Sequence, residues 1–264
     1  MSTLLGSDPA TAPQADVRHS EYVLRLADTS LILAQQLSMW VGHAPALEED
    51  LGLANIALDL LGQARLLLSH AASRDGLGHS EDTLAFLRDP ADFRNLALVE
   101  QPNGDFAQTI LRQFLFDVYQ DELYSELQAS TDASLAAIAR KALKETRYHV
   151  RYSSGWVIRL GDGTQESHLR LAQALTSLWP YTAEFFDSDA LDDSMCRLGV
   201  APNLAALDPR WRTRVKDVLQ EATLELPAPA KHRWYGKRGQ HGEALSHLLA
   251  QMQYLPRRYP GARW

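Results

Sequence analysis

Apolar residues recur along this chain every three or four positions, the spacing that lines one face of an α-helix. Leu24, Ala27, Leu31, Ala34 and Leu37 make the first such stripe and predict a helix from about Ser20 to Trp40, closed by Gly42. A second begins near Pro45, a residue suited to a helix's first turn, and Glu48, Glu49 and Asp50 set negative charge at the positive end of its dipole. Leu47, Leu51, Ala54, Leu58, Leu61 and Leu68 form its stripe, and Gly76 follows its end. About thirty residues give a rod of roughly 45 Å. Leu60, Leu66 and Leu67 lie off that stripe, so more than one face of this helix is apolar. The extra face either meets a partner or is covered by residues 76–104 or by the later helices.

Residues 76–104 carry no long period. They predict short helical pieces around Leu84–Leu87 and Phe93–Leu98, then a turn at Gln101-Pro102-Asn103-Gly104. A third helix starts at Asp105, with Phe106, Ile110, Phe114, Val118 and Leu127. A fourth runs from about Asp132 to Leu160, with Leu135, Ile138, Ala142, Tyr148, Tyr152 and Trp156, and is capped by Gly161 and Gly163. A fifth carries Leu171, Leu175, Leu178 and Phe185, with a kink predicted at Pro180. Shorter helices are predicted around Leu191–Leu198, from Pro209 to Leu224 with Asp208 as N-cap, and from Gly242 to Leu255.

The chain has 43 leucines against 10 valines and 5 isoleucines, a balance that favours helices over strands. The predicted fold is therefore all-α. Two long helices, a long connection and two more long helices is the order of a ferritin-like helical bundle with a long crossover, here with extra C-terminal helices. One domain is expected over residues 20–264, after a mobile N-terminal tail at 1–19 rich in Ser, Thr, Pro, Ala and Gln.

The overall charge of −7 over 264 residues argues against nucleic acid as a partner, since phosphate binding needs a basic face. Cys196 is the only cysteine, which excludes an intrachain disulfide and any CxxC metal site and fits a reducing compartment. No run of about 18 apolar residues predicts a membrane span, and the start lacks the charged and apolar regions of a secretory signal. A cytoplasmic location is expected.

The chemistry of a ferritin-like bundle is a carboxylate-bridged di-iron centre, built from a Glu on each of two helices and a Glu-x-x-His pair on each of the other two. No Glu-x-x-His occurs in this chain: none of its nine histidines has Glu three positions before it. The nearest segment is Lys144-Glu145-Thr146-Arg147-Tyr148-His149, where the imidazole has moved about 100° around the helix. On the second helix, Asp59-Leu60-Leu61-Gly62 puts a glycine where the second histidine would stand. Asp28 and Gln35 on the first helix, and Asp117 and Asp121 on the third, are further inward polar candidates. Either Asp59, Asp117, Glu145 and His149 hold a metal in altered geometry, or they satisfy one another by hydrogen bonds and ion pairs. With two imidazoles missing, the second reading is favoured, and no catalytic, cofactor-binding or metal-ligating residue is assigned.

Other motifs fare no better. Gly161-Asp162-Gly163 lacks the third glycine of a dinucleotide loop and follows a helix. Cys196 has no nucleophile signature around it. Trp156, Trp179 and Trp211 fall at helical apolar positions and read as core.

Several long blocks nevertheless resemble one family. They are Val41-Gly42-His43-Ala44-Pro45, the run Leu53-Ala54-Asn55-Ile56-Ala57-Leu58-Asp59-Leu60-Leu61-Gly62-Gln63-Ala64-Arg65, and Val99-Glu100-Gln101-Pro102-Asn103-Gly104. Glu145-Thr146-Arg147-Tyr148-His149, Gly155-Trp156, Tyr181-Thr182-Ala183-Glu184-Phe185-Phe186-Asp187 and Gln251-Met252-Gln253-Tyr254-Leu255 continue the likeness, which runs from about residue 20 to the C-terminus. They resemble the structural C subunits of bacterial phenylacetyl-CoA epoxidase, the PaaC family. That resemblance implies a ferritin-like fold and a partnership with a homologous catalytic subunit that holds the di-iron centre. It also implies a wider complex with a flavin and iron–sulfur reductase subunit, fed by NADPH, which uses O₂ to convert phenylacetyl-CoA to its ring 1,2-epoxide in aerobic phenylacetate degradation. The chain itself would then be non-catalytic and carry no cofactor. The alternatives are a stand-alone ferritin-like metal-dependent oxidoreductase with atypical ligands, or a helical binding protein without an oxygenase partner.

Charge is uneven along the chain. From Lys231 to Trp264 the net charge is +6, which leaves −13 on the rest. Lys231, Arg233, Lys237, Arg238, Arg257 and Arg258 are thus candidates to meet an acidic partner surface or the phosphates of coenzyme A. Otherwise they form a solvated face that balances the acidic body.

Overall fold

The computed structural model describes residues 12–230 and 233–262, with side chains from residue 17 onward. Its helices are α1 (Ala12–Trp40), α2 (Leu47–Ala72), α3 (Glu81–Phe86), α4 (Phe106–Leu127), α5 (Ala133–Gly161), α6 (Gln165–Leu178), α7 (Ala190–Arg197), α8 (Leu204–Glu221), α9 (Glu243–Met252) and α10 (Tyr254–Arg258). Short 3-10 turns sit at Pro90–Asp92, Trp179–Phe186 and Gly236–Arg238. No β-strand forms among the described residues; the one bridge joins Tyr235 and Gln240. The fold is an all-α helical bundle: α1 pairs with α2, α4 with α5, and α2 packs against α5.

The capping residues explain most boundaries. Asp105 accepts from the Gln108 N–H (3.0 Å) and Asp132 from Ser134 and Leu135 (2.9 and 3.1 Å), so each acid predicted to open its helix caps it from one residue outside. The helix α1 begins at Ala12, earlier than predicted. Residues 12–19, expected in the tail, are therefore helical, and His19 is buried. Residues 1–11 of that predicted tail lie outside the described residues. The helix α8 also starts early. Asn203 caps it by accepting from the Ala205 N–H (3.0 Å), and Pro209 lies inside it. Asp208, predicted as the cap, instead pairs with Arg212 (2.7 Å).

Pro180 does not kink a continuous helix: α6 stops at Leu178, and Pro180 sits in the following 3-10 turn. Gly161 is the last residue of α5, and a Cβ there would stand 2.2 Å from the Ala222 carbonyl oxygen. Its role is to let the end of α8 pass close to α5.

The connection between α2 and α4 differs from expectation. Phe93–Leu98 is not helical but is buried, irregular chain. Buried backbone donors need partners, and side chains supply them: Thr29 Oγ1 accepts from Leu96 N (3.1 Å) and Glu184 Oε2 from Ala97 N (2.7 Å). The segment lies over α1. Asp28 is buried and takes bonds from Arg88 Nη1 (2.9 Å), Arg88 Nη2 and the Arg94 N–H (2.8 Å).

Helix α2 reverses part of the predicted stripe. Its buried face is Leu53, Ile56, Ala57, Leu60, Gln63, Ala64, Leu67, Leu68 and Ala71. Leu47, Leu51, Leu58 and Leu61, predicted for the core, are exposed by 70, 56, 65 and 48%. Only the end of α2 is met by α3, where Glu81 bonds Ser69 (2.7 Å) and Arg65 (3.2 Å). The long connection thus leaves the leucine face open. By length and mean hydropathy (1.4 over its best window) α2 is apolar enough to cross a membrane, contrary to the sequence-based expectation. Two apolar faces on a bundle helix produce that figure, because one of them is packed against α1 and α5.

Candidate functional site

The side chains at the bundle centre come from α2, α4 and α5. Their spacing brings together three of the four residues singled out as possible metal ligands. His149 is fully buried and its Nε2 lies 3.0 Å from Asp59 Oδ2, while its Nδ1 lies 4.0 Å from Asp117 Oδ1. Asp117 is also fully buried. Its Oδ1 accepts from Gln113 Nε2 (2.6 Å) and its Oδ2 from the Ser153 hydroxyl (2.7 Å). Glu145 stands apart and accepts from Gln63 Nε2 (3.0 Å). Gln63 Oε1 in turn accepts from Gln120 Nε2 (3.2 Å), and Gln120 Oε1 accepts from the Thr146 hydroxyl (3.2 Å).

These partners were not foreseen from the sequence: Gln63, Gln113, Gln120, Thr146 and Ser153 are the main hydrogen-bond donors of the centre. Their signal was the three- or four-residue spacing of Gln63, Gln113 and Gln120 from the acids and of Thr146 and Ser153 from His149, which puts them on the same helix faces.

Electrostatics fits a hydrogen-bonded centre. Burial pushes the Asp117 carboxyl well above the usual range, against the bonds from Ser153 and Gln113. Burial raises Glu145 and lowers His149, outweighing the Asp59 carboxylate. A di-iron centre asks for four carboxylates and two imidazoles whose ligand atoms converge on the metals. Here one imidazole is held between two acids, and amide groups with N–H donors stand where ligands would be required. Gly62 offers no ligand atom and is exposed, with no atom within 4 Å of an added Cβ. The donor set does not fit a di-metal centre.

The remaining candidates point elsewhere. Asp121 faces α8, bonding Arg214 (2.6 Å) and approaching Arg147 (3.8 Å). Gln35 is half-buried, while its neighbour Gln36 is buried and donates to the Glu100 carbonyl (3.0 Å). Cys196 is half-buried on α7.

The basic C-terminal region is not a free docking patch. Lys237 is buried and donates to Asp192 (2.7 Å) and to the Asp187 carbonyl. Arg233 and Arg238 both reach Asp187, Arg238 also approaches Asp189 (3.4 Å), and Arg257 pairs with Asp89 (3.0 Å). Arg25 adds bidentate bonds to Asp189 (2.8 and 3.1 Å) and one to Asp192 (3.0 Å). The positive segment thus neutralises acids of its own chain, which favours the alternative that it balances the acidic body. Arg258 lies over the Tyr259 ring. Lys231 is outside the described residues.

An all-α bundle whose centre is closed by amide and hydroxyl hydrogen bonds, with a bare leucine face on one long helix, defines the class. The chain belongs to the PaaA/PaaC family of phenylacetic acid catabolic proteins, whose profile matches residues 4–264. It is 51% identical over 243 residues to the C subunit of the 1,2-phenylacetyl-CoA epoxidase of Escherichia coli (strain K12), an alignment that spans 92% of this chain and 98% of that relative. The resemblance to the PaaC family is thereby borne out.

Proposed function

We propose that this chain is a non-catalytic structural subunit of a cytoplasmic phenylacetyl-CoA 1,2-epoxidase. It docks through α2 onto a homologous subunit that bears Glu-x-x-His pairs and the di-iron centre. The observation that carries this reading is the division of labour along α2. One face closes a centre unsuited to metal, and the other leaves Leu47, Leu51, Leu58 and Leu61 in water, with Leu66 beside them. A contiguous apolar stripe of this kind marks an interaction site. An obligate interface of a few thousand Å² would bury it against a matching helix. Substrate activation, oxygen and electrons belong to the other subunits, and this chain's task is to fix the shape of its partner.

The test is co-expression with the Glu-x-x-His subunit, comparing the native chain with Leu58→Glu/Leu61→Glu. The double variant should abolish co-purification while leaving the thermal midpoint of the isolated chain unchanged. Undiminished complex would overturn the docking face. Stoichiometric iron in the isolated chain, lost on Glu145→Gln, would overturn the non-catalytic assignment in favour of a stand-alone metal-dependent oxidoreductase.

A further inference from the structure

A second polar cluster lies away from the bundle centre, where three helices meet. His19 stands on the first part of α1, His70 in the last turn of α2, and Asp132 caps α5. The Nε2 atoms of His19 and His70 lie 2.7 and 2.6 Å from the same oxygen, Asp132 Oδ2. All three atoms fall within 4.8 Å of one another, and the two rings meet edge to face at 6.1 Å. Asp132 Oδ1 is occupied by the Ser134 and Leu135 N–H groups, which fix the carboxylate and leave Oδ2 for the imidazoles. His70 makes a hydrogen bond there. The buried His19 Nε2 is in ion-pair distance of that same oxygen but has no hydrogen bond of good geometry there or to any other group. Native structures rarely leave such an atom unsatisfied.

We propose that His19, His70 and Asp132 form a binding site for one divalent ion of the zinc class. Two imidazole nitrogens and one carboxylate oxygen are the donor set of three-ligand zinc sites, with water as the fourth ligand. Bonds of about 2.0–2.1 Å at tetrahedral angles put ligand atoms roughly 3.3 Å apart. The cluster therefore opens by about half an ångström as it takes the ion, which turns of the imidazole side chains supply. The carboxylate's other oxygen is already held by backbone donors, the support that orients a metal ligand. Side-chain exposures of 11, 10 and 2% for His19, His70 and Asp132 keep the site shielded but open on the imidazole side.

Arg74, 3.7 Å from Oδ2, is the cation that the metal must displace, and its side chain is 32% exposed. The ion would join helices at residues 19, 70 and 132 and stabilise the bundle by linkage. The site was not foreseen in the sequence, because its ligands come from three separate helices, and it departs from the expectation of a chain without metal. It is independent of the proposed docking role.

The experiment titrates the chelator-treated full chain with zinc by calorimetry and with cobalt by visible absorption. The expected result is one equivalent bound, intense tetrahedral cobalt absorption and a higher thermal midpoint with zinc. His19→Gln, His70→Gln and Asp132→Asn should each weaken binding by at least about tenfold. Arg74→Gln should tighten it, which tests the site even where a ligand variant fails to fold. His79→Gln, which removes an exposed imidazole paired with Asp75, serves as the control and should change nothing. Absence of binding at one equivalent, octahedral cobalt, or binding insensitive to His70→Gln would overturn the site.

Discussion

Helix α4 carries Arg112, Gln113, Asp117, Gln120 and Asp121 inside the protein, and every residue from Thr109 to Asp121 is buried. Helix α2 is richer in leucine, yet leaves Leu47, Leu51, Leu58 and Leu61 in water. Position explains the inversion. Packed against α5, α6 and α8, this stretch of α4 has no side left for solvent, so its polar groups must find partners inside. Helix α2 lies at the edge, against α1 and α5, and its outer face stays exposed. The lesson is that the hydrophobicity of a bundle helix measures how much surface it must hide, and not how much of it this chain alone hides.

The sharpest way to break that contrast is a cavity in α4. Phe114→Ala should cost about 3–5 kcal/mol in urea denaturation, since Phe114 is fully buried. A loss below about 1 kcal/mol would mean that α4 is not the central helix.

Arg112→Met tests the polar groups of the same helix. Arg112 is fully buried, burial holds its guanidinium down at about 9, and it donates to Asn103 Oδ1 (2.6 Å) and the Gln101 carbonyl. Methionine fills much of the space but leaves both acceptors without this donor, for an expected loss of about 1–3 kcal/mol.

Asp117→Asn sharpens the comparison through pH. The carboxyl of Asp117 is raised in the folded state, so its protonated form is favoured by folding. The native chain therefore loses stability as pH climbs from the unfolded carboxylate range through the folded value. Each unit between the two values is worth about 1.4 kcal/mol. Asparagine carries no such loss, so the variant should gain on the native chain between pH 5 and pH 8. A constant difference across that range would show that Asp117 is not a buried acid.

The smallest effect belongs to α2. Leu58→Ala in the isolated chain should change stability by less than about 0.5 kcal/mol. A large loss would mean that Leu58 packs within this chain and does not face a partner.

Much of the architecture was legible because it rests on local rules. The four long helices, the starts near Asp105 and Asp132, the turn at Gly42 and the long connection all follow from periodicity and breakers. The polar centre was half legible. Asp59, Asp117 and His149 were named from spacing and do meet, and Glu145 was named and sits one amide away. The amides and hydroxyls that close the centre escaped because glutamine, serine and threonine read as ordinary helix residues until a buried partner is known. The role of the basic C-terminus stayed open for a related reason: charge counted along the chain says nothing of Asp187, Asp189, Asp192 and Asp89, which the fold brings beneath it.

The sequence by itself determined that the chain is helical, where its long helices lie, and that its centre lacks the Glu-x-x-His pairs, since these depend on neighbours within one or two turns. Only the tertiary structure decided which face of α2 is buried, which acids meet the C-terminal cations, and that His19, His70 and Asp132 converge. Each of those outcomes is set by contacts between residues tens of positions apart, where helical periodicity fixes a direction around one axis but not what stands opposite it.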